Sequence, residues 1–422
     1  MSPSPDPIPA LRVDGDRLWS RLMEMAEIGA TPAGGVHRLA LTDQDRSARD
    51  LFATWCEAAG LTISVDRMGS MFARRAGTDV DAPPVFAGSH LDSQPLGGRF
   101  DGPLGVLAAL EAVETMNDQG IETRHSVEVV NWTNEEGSRF APAMISSGVF
   151  AGVFEIDFAH AIEDASGATI VGELERIGYS GSEPVGGRPV RASFELHIEQ
   201  GPLLERSGTA VGVVTGVQGA RWYDVRIEGE VTHAGPFPMS ERKDPVRGTA
   251  RVLDRLFELV RTLDDEGKFT VGEIHASPGS RNTMPGQIDF TVDIRHPDDD
   301  ALTGLDEKFR ALVSAETEAM GLSAQIDQIW HSPTTRFAEE CVDAVRAAAV
   351  TVGLSHMDVF SGAGHDSVYM QRVCPTGMIF VPCEGGLSHA EAENITQKDA
   401  EAGANVLMHS VLGVAGVAGA AG

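Results

Sequence analysis

A chain of 422 residues is longer than one ordinary core holds, and a prior of roughly 150 residues per domain points to two or three domains. With 42% hydrophobic residues, 6% aromatics, 47 Gly and 22 Pro, the composition is that of an ordered α/β protein and excludes a disordered one. The formal charge, 33 minus 62 or −29, repels phosphate backbones and anionic headgroups, so neither nucleic acid nor a membrane is expected as a partner.

From Pro83 to Asp157 short β-rich runs alternate with helical stretches: VFAG (85–88), a helix over 102–116, SVEVVNWT (126–133) and a second helix near 141–150. That rhythm predicts a doubly wound sheet. Leu104, Leu107, Leu110, Val113 and Met116 recur at helical spacing, giving one apolar face for the sheet. In SFELHIEQG (193–201), Glu195, His197 and Glu199 alternate with Phe194, Leu196 and Ile198 and so share one face of a strand. From about 216 to 332 the order becomes strand, helix, strand, strand, helix, strand, which is that of a ferredoxin-like α+β insert. A helix near 336–352, the strand TGMIFVPC (376–383) and a helix near 396–412 then restore the first rhythm. The expected architecture is a doubly wound, mixed-sheet α/β domain, residues 1–215 and 333–422, interrupted by a ferredoxin-like α+β domain over 216–332.

Cys56, Cys341, Cys374 and Cys383 show no CxxC spacing, so buried, reduced thiols are expected rather than a disulfide scaffold or a thiolate zinc site. Four lysines against many arginines fit either a GC-rich genome or a salt-adapted surface. The opening MSPSPDPIPA lacks a basic region followed by an apolar run, and Val411–Gly422 is too short to span a bilayer, so a cytoplasmic protein is expected.

The chemistry concentrates at predicted strand ends, where open α/β sheets bind ligands. In GSHLDSQPLGGRFDG, His90 and Asp92 follow a strand and Asp101 sits in a Gly-rich loop opening a helix. An imidazole and a carboxylate able to bridge two cations are what a hydrolytic binuclear site requires, and Asp92 is placed to orient the His90 ring. In NWTNEEGSRF the adjacent Glu135 and Glu136 project differently, so one can bind metal while the other faces a water as general base. His197 and His389 add two more imidazoles beside predicted strands. Each residue alone also reads blandly: His90 as a loop histidine, Glu135 and Glu136 as a solvated acidic turn, His197 and His389 as structural histidines. Together His90, Asp101, Glu136, His197 and His389 form a nitrogen and oxygen donor set without sulfur, which suits Zn²⁺ and also Mn²⁺, Co²⁺ or Ni²⁺.

The motifs GSHLDSQPLGGRFDG, NWTNEEGSRFAPAM, LHIEQGP, VTHAGPFPM, SRNTMPG, DIRHPD, SGAGHD and GLSHAEAE run in this order from residue 88 to 393. They resemble the metal-dependent N-carbamoyl-L-amino-acid amidohydrolases of the hydantoinase/carbamoylase family. Its relatives are the β-ureidopropionases and allantoate amidohydrolases, within the wider aminoacylase and di-zinc carboxypeptidase superfamily. The resemblance implies two divalent metal ions per subunit, bridged by Asp101, with His90 and His197 on one and Glu136 and His389 on the other. It implies Glu135 as general base, the 216–332 insert as a lid that also forms a homodimer while residues 1–215 and 333–422 make the catalytic domain, and His233 reaching the neighbouring subunit's site to stabilise an oxyanion. It implies a small substrate bearing a carboxylate, held by Gln200, His233, Asn282, Arg295 and Gly364. A guanidinium pairs a carboxylate through two parallel hydrogen bonds, although Arg295 also alternates onto the face of Asp293, which permits a purely structural ion pair. His365 and Asp366 receive no ligand role. Phe237 stands where many relatives carry a small hydroxyl residue, while HLDSQP and FAPAM favour the carbamoyl-amino-acid branch over the allantoate branch. Other linear amides and, last, a catalytically silent metal-binding protein are the competing readings.

Overall fold

The computed structural model describes residues 11–261 and 266–418; the readings of MSPSPDPIPA and of the last four residues of the Gly-rich tail lie outside them. Two units share the chain: residues up to Gly216 together with those from Arg336 onward, and Val217–Thr335. The fold class is α/β, a mixed-sheet unit interrupted by a smaller α+β unit.

The larger unit is built on four neighbouring parallel strands in the order Val127–Trp132, Val85–His90, Ala192–Ile198 and Thr376–Val381. Every residue of these strands is buried, as a sheet covered on both faces demands. Antiparallel strands flank them, Met71–Arg75 beside Val127–Trp132 and Val211–Val217 beside Thr376–Val381, so the sheet is mixed. The helix Pro103–Asp118 carries the chain from Val85–His90 to its neighbour on one side, whereas the next parallel strand, Ala192–Ile198, lies on the other. The winding direction therefore reverses beside Val85–His90, which opens a crevice at the strands' carboxyl ends.

The expected apolar stripe of Pro103–Asp118 is buried, but so are Val106, Ala108, Ala109 and Ala112. The single-faced reading is corrected because this helix packs on the sheet and also against the helices Gly15–Ala26 and Gln397–Ala415. The helix expected near 141–150 begins only at Ile145, because Met144 at φ 56° is left-handed and cannot be its first turn.

In the smaller unit the antiparallel sheet runs Ser323–Ser332, Gly219–Glu228, Gln287–His296, Ile274–Ser277, the 4-1-3-2 order of a ferredoxin-like fold. Tyr223, Val225 and Ile227 alternate onto one face with Ile288, Phe290, Val292 and Ile294, against Val252 and Leu256 of one helix and Leu305 and Phe309 of the other. The second of the four strands expected between 216 and 332 is split into Lys268–Thr270 and Ile274–Ser277 around Gly272, a residue that weakens a strand interior. All four cysteines are free and buried, and no helix of the described residues is long and apolar enough to cross a membrane.

Candidate metal centre and active site

His90 ends its strand and His197 lies one residue from the end of its own. The Nδ1 of His90 lies 2.9 Å from the carbonyl of Asp92, and that of His197 lies 3.0 Å from the carbonyl of Ile198. A carbonyl only accepts, so both rings carry hydrogen on Nδ1 and direct Nε2 inward. The Nε2 of His197 then faces Asp101 Oδ1 at 3.1 Å, and the Nε2 of His90 faces Asp101 Oδ1 and Glu135 Oε2, each at 3.6 Å. An Nε2 directed at carboxylate oxygens calls for positive charge between them, supplied by a proton or by a divalent cation. The protein's own charges make the same demand: burial disfavours a charged His90, yet Glu135, Asp101 and Asp92 hold its pKa well above the usual histidine range.

Asp101 Oδ2 lies 3.4 Å from His389 Nε2, which is 3.5 Å from Glu136 Oε2. Asp101 thus belongs to two clusters, His90–Asp101–His197 and Asp101–Glu136–His389, each with one donor atom per residue and all within 4.8 Å of one another. The loop carrying it packs tightly on the histidine. Gly102 has φ 85°, and a Cβ there would fall 2.5 Å from His90 Cε1, so the position needs glycine twice over.

The turn bearing the two glutamates is fastened from beneath. The main-chain N–H groups of Glu135 and Glu136 donate to the two oxygens of Asp92 at 3.2 and 3.3 Å. Asp92 meets His90 Nδ1 through its carbonyl, while its carboxylate lies 3.8 Å from that nitrogen. Gln94 donates to both oxygens of Glu136, from its N–H at 3.0 Å and its amide at 2.7 Å. Burial pushes the Glu135 carboxyl well above the usual range; the His90 charge opposes this, while Asp366, Glu136 and Asp92 add to it. An upward shift makes the carboxylate a stronger proton acceptor than a solvated one.

Several supporting residues escaped the sequence reading. Glu195 accepts the hydroxyls of Ser89 at 2.8 Å and Ser367 at 2.6 Å, tying two central strands to the loop after Gly364. Its alternation with His197 was the available signal. Glu199, on the same predicted face, instead takes the N–H groups of Leu203 and Leu204 at the start of a helix. His365 is buried with its ring centroid 4.5 Å from that of His197, and buried Asp366 takes the hydroxyl of Ser147.

Gln200 donates to Asp101 Oδ2 at 2.7 Å, so it borders the paired clusters. At Gly364 a Cβ would meet Met144 Cε at 3.1 Å. His233, Asn282 and Arg295 lie in the smaller unit. There Thr232–His233 pairs with Thr283–Met284, and the Ala234 N–H donates to the carbonyl of Asn282 at 3.0 Å. His233 accepts the Gly235 N–H at Nδ1, 3.0 Å away, which leaves Nε2–H as a donor. Arg295 makes the ion pair that strand alternation permitted, 2.6 Å from Nη2 to Asp293 Oδ2.

Residues 86–412 match the profile of peptidase family M20/M25/M40, and the chain belongs to that family. Within it, the chain is 50% identical over 405 residues to an N-carbamoyl-L-amino-acid amidohydrolase of Rhizobium meliloti, covering 95% of this chain and 96% of the relative. It is 34% identical over 385 residues to an allantoate amidohydrolase of Bacillus subtilis, covering 91% and 93%. A crystal structure of a hydantoinase/carbamoylase family amidase from Burkholderia vietnamiensis superposes with a TM-score of 0.94 at 54% identity, over 96% of this chain and 98% of that one.

Proposed function

We propose that this chain hydrolyses the carbamoyl amide of N-carbamoyl-L-amino acids, releasing the amino acid and carbamate, which decomposes to carbon dioxide and ammonia. The observation that carries the reading is the sharing of Asp101 between two clusters of nitrogen and oxygen donors. The 50% identity with the Rhizobium meliloti enzyme over nearly both full lengths supports the choice of substrate.

In this reading His90, Asp101 and His197 would hold one divalent cation, and Asp101, Glu136 and His389 would hold a second. Zn²⁺ suits the set best, with Mn²⁺, Co²⁺ or Ni²⁺ as alternatives. Such cations supply Lewis-acid activation of water and of the scissile carbonyl. Glu135 takes the proton of the attacking water at its carboxylate and returns it to the leaving amine. His233, with hydrogen on Nε2, donates to the developing oxyanion from the partner copy of a homodimer. Arg295 turns from Asp293 to the substrate carboxylate, while Gln200, Asn282 and Gly364 line the remainder, and the enzyme works in the cytoplasm.

The test is a metal-reconstituted screen of ammonia and amine release across N-carbamoyl-L-amino acids, allantoate, β-ureidopropionate, N-acetyl amino acids and dipeptides. Highest kcat/KM on an N-carbamoyl-L-amino acid is expected. A preference for allantoate, which the Bacillus subtilis relative makes the second reading, would overturn the substrate assignment.

A further inference from the structure

Glu393 stands four residues beyond His389 and is almost wholly buried, at 1% exposure. Its Oε1 accepts the main-chain N–H of Phe100 at 2.9 Å and of Asp101 at 3.0 Å, across some 290 residues of sequence. Its Oε2 lies 3.0 Å from the hydroxyl of Ser388, which is also 2.8 Å from Asp101 Oδ2. The hydroxyl has a single proton, so the two carboxylates share one donor. The approach has been given room: a Cβ on Gly98 would fall 1.9 Å from Glu393 Cδ and 2.0 and 2.2 Å from its two oxygens.

Two segments therefore meet at one side chain. The Gly97–Gly102 loop carries the carboxylate common to both clusters, and the Gly386–Glu393 segment carries His389. The two peptide N–H groups that Glu393 accepts lie on either side of the Phe100 Cα, and the second is bonded to the Asp101 Cα, so they fix where the Asp101 side chain starts, while Ser388 and Gln200 fix one of its oxygens.

We propose that Glu393 is a positioning residue for Asp101: its carboxylate locks the Asp101 loop to the His389 segment, so that Asp101 presents one oxygen to each cluster. The proposal rests on the metal reading above, but not on which amide is cut. Groups that orient metal ligands typically change metal affinity by about 10–100-fold when lost.

The experiment uses the full chain, stripped of metal and titrated with Co²⁺ while its visible absorption is followed, with circular dichroism as the folding control. Wild type is expected to take up two equivalents. Glu393→Gln, whose amide oxygen can still accept both N–H groups, should retain both equivalents and the wild-type spectrum. Glu393→Ala should weaken binding by about 10–100-fold and alter the spectrum. Gly98→Ala should do the same, because it displaces the carboxylate without removing its charge. If Glu393→Ala does not fold, Gly98→Ala carries the test. Folded Glu393→Ala or Gly98→Ala with wild-type affinity and spectrum would overturn the proposal, as would a loss in Glu393→Gln equal to that in Glu393→Ala. A wild-type chain that takes up no ion would refute the metal centre and this inference with it, whereas a different preferred substrate would leave the inference standing.

Discussion

Replacing Glu135 by Gln should separate proton transfer from metal binding. The change is nearly isosteric, and two main-chain hydrogen bonds hold residue 135 in place: the N–H to Asp92 Oδ1 at 3.2 Å and the carbonyl accepting Met144 N–H at 2.6 Å. Both survive the substitution. Glu135 also belongs to neither donor cluster containing Asp101, so both ions should stay. What is lost is the proton acceptor, and positioned general base catalysis is worth about 10²–10⁴ in rate, or roughly 2.7–5.4 kcal/mol at 1.36 kcal/mol per tenfold. Turnover on an N-carbamoyl-L-amino acid, followed by ammonia release, should fall by that factor with KM little changed, while elemental analysis still finds two ions per subunit. Near-normal kcat with full metal content would refute the base assignment. Loss of an ion would show that Glu135 is a ligand.

Asp101→Ala should empty at least one metal position, because one carboxylate serves two clusters; two equivalents per subunit by elemental analysis would count against the bridge. His233→Ala and Glu135→Gln, each inactive alone, should together recover roughly a quarter of wild-type activity after unfolding and reassembly. About half of randomly formed dimers then pair an intact base with an intact lid histidine, and proven heterodimers without activity would place His233 in its own subunit's site. Burial pushes the Asp66 carboxyl up to about 7, although the N–H groups of Met68 and Ser70 oppose this. Stability tied to its proton is therefore complete below about pH 4 and lost as pH rises through about 7. Asp66→Asn should raise the melting temperature at pH 8 and leave it nearly unchanged at pH 4; an equal effect at both would remove Asp66 as the cause.

The sequence was most informative where one pattern served one purpose. The 2.0-residue alternation of Gln287–His296 reappears as a strand with one face in the smaller unit's core. The donors His90, Asp101, Glu136, His197 and His389 are brought within reach of one another. Periodicity failed where a segment is packed on more than one side, as in Pro103–Asp118, since a helix enclosed by a sheet and two helices has no polar face to mark its orientation. It also failed for residues that act through the main chain. Gln94, Glu195 and Glu393 work by receiving or giving hydrogen bonds across distant segments, as does Asp92, whose spacing from His90 was legible but whose tie to the Glu135–Glu136 turn was not; nothing in local spacing marks a carboxylate destined for another segment's N–H or O–H groups.

The place of Thr376–Val381 in the sheet bears on how the protein is made. This strand leaves the ribosome well after both of its neighbours and enters between Ala192–Ile198 and Val211–Val217, which were synthesised long before it. Until it arrives, two apolar strands present open edges that invite pairing with other chains. The histidine that completes the second cluster, His389, follows eight residues behind. Nascent chains stopped anywhere before residue 376 should therefore collect as aggregates, and the second cluster cannot be complete before residue 389 has been made.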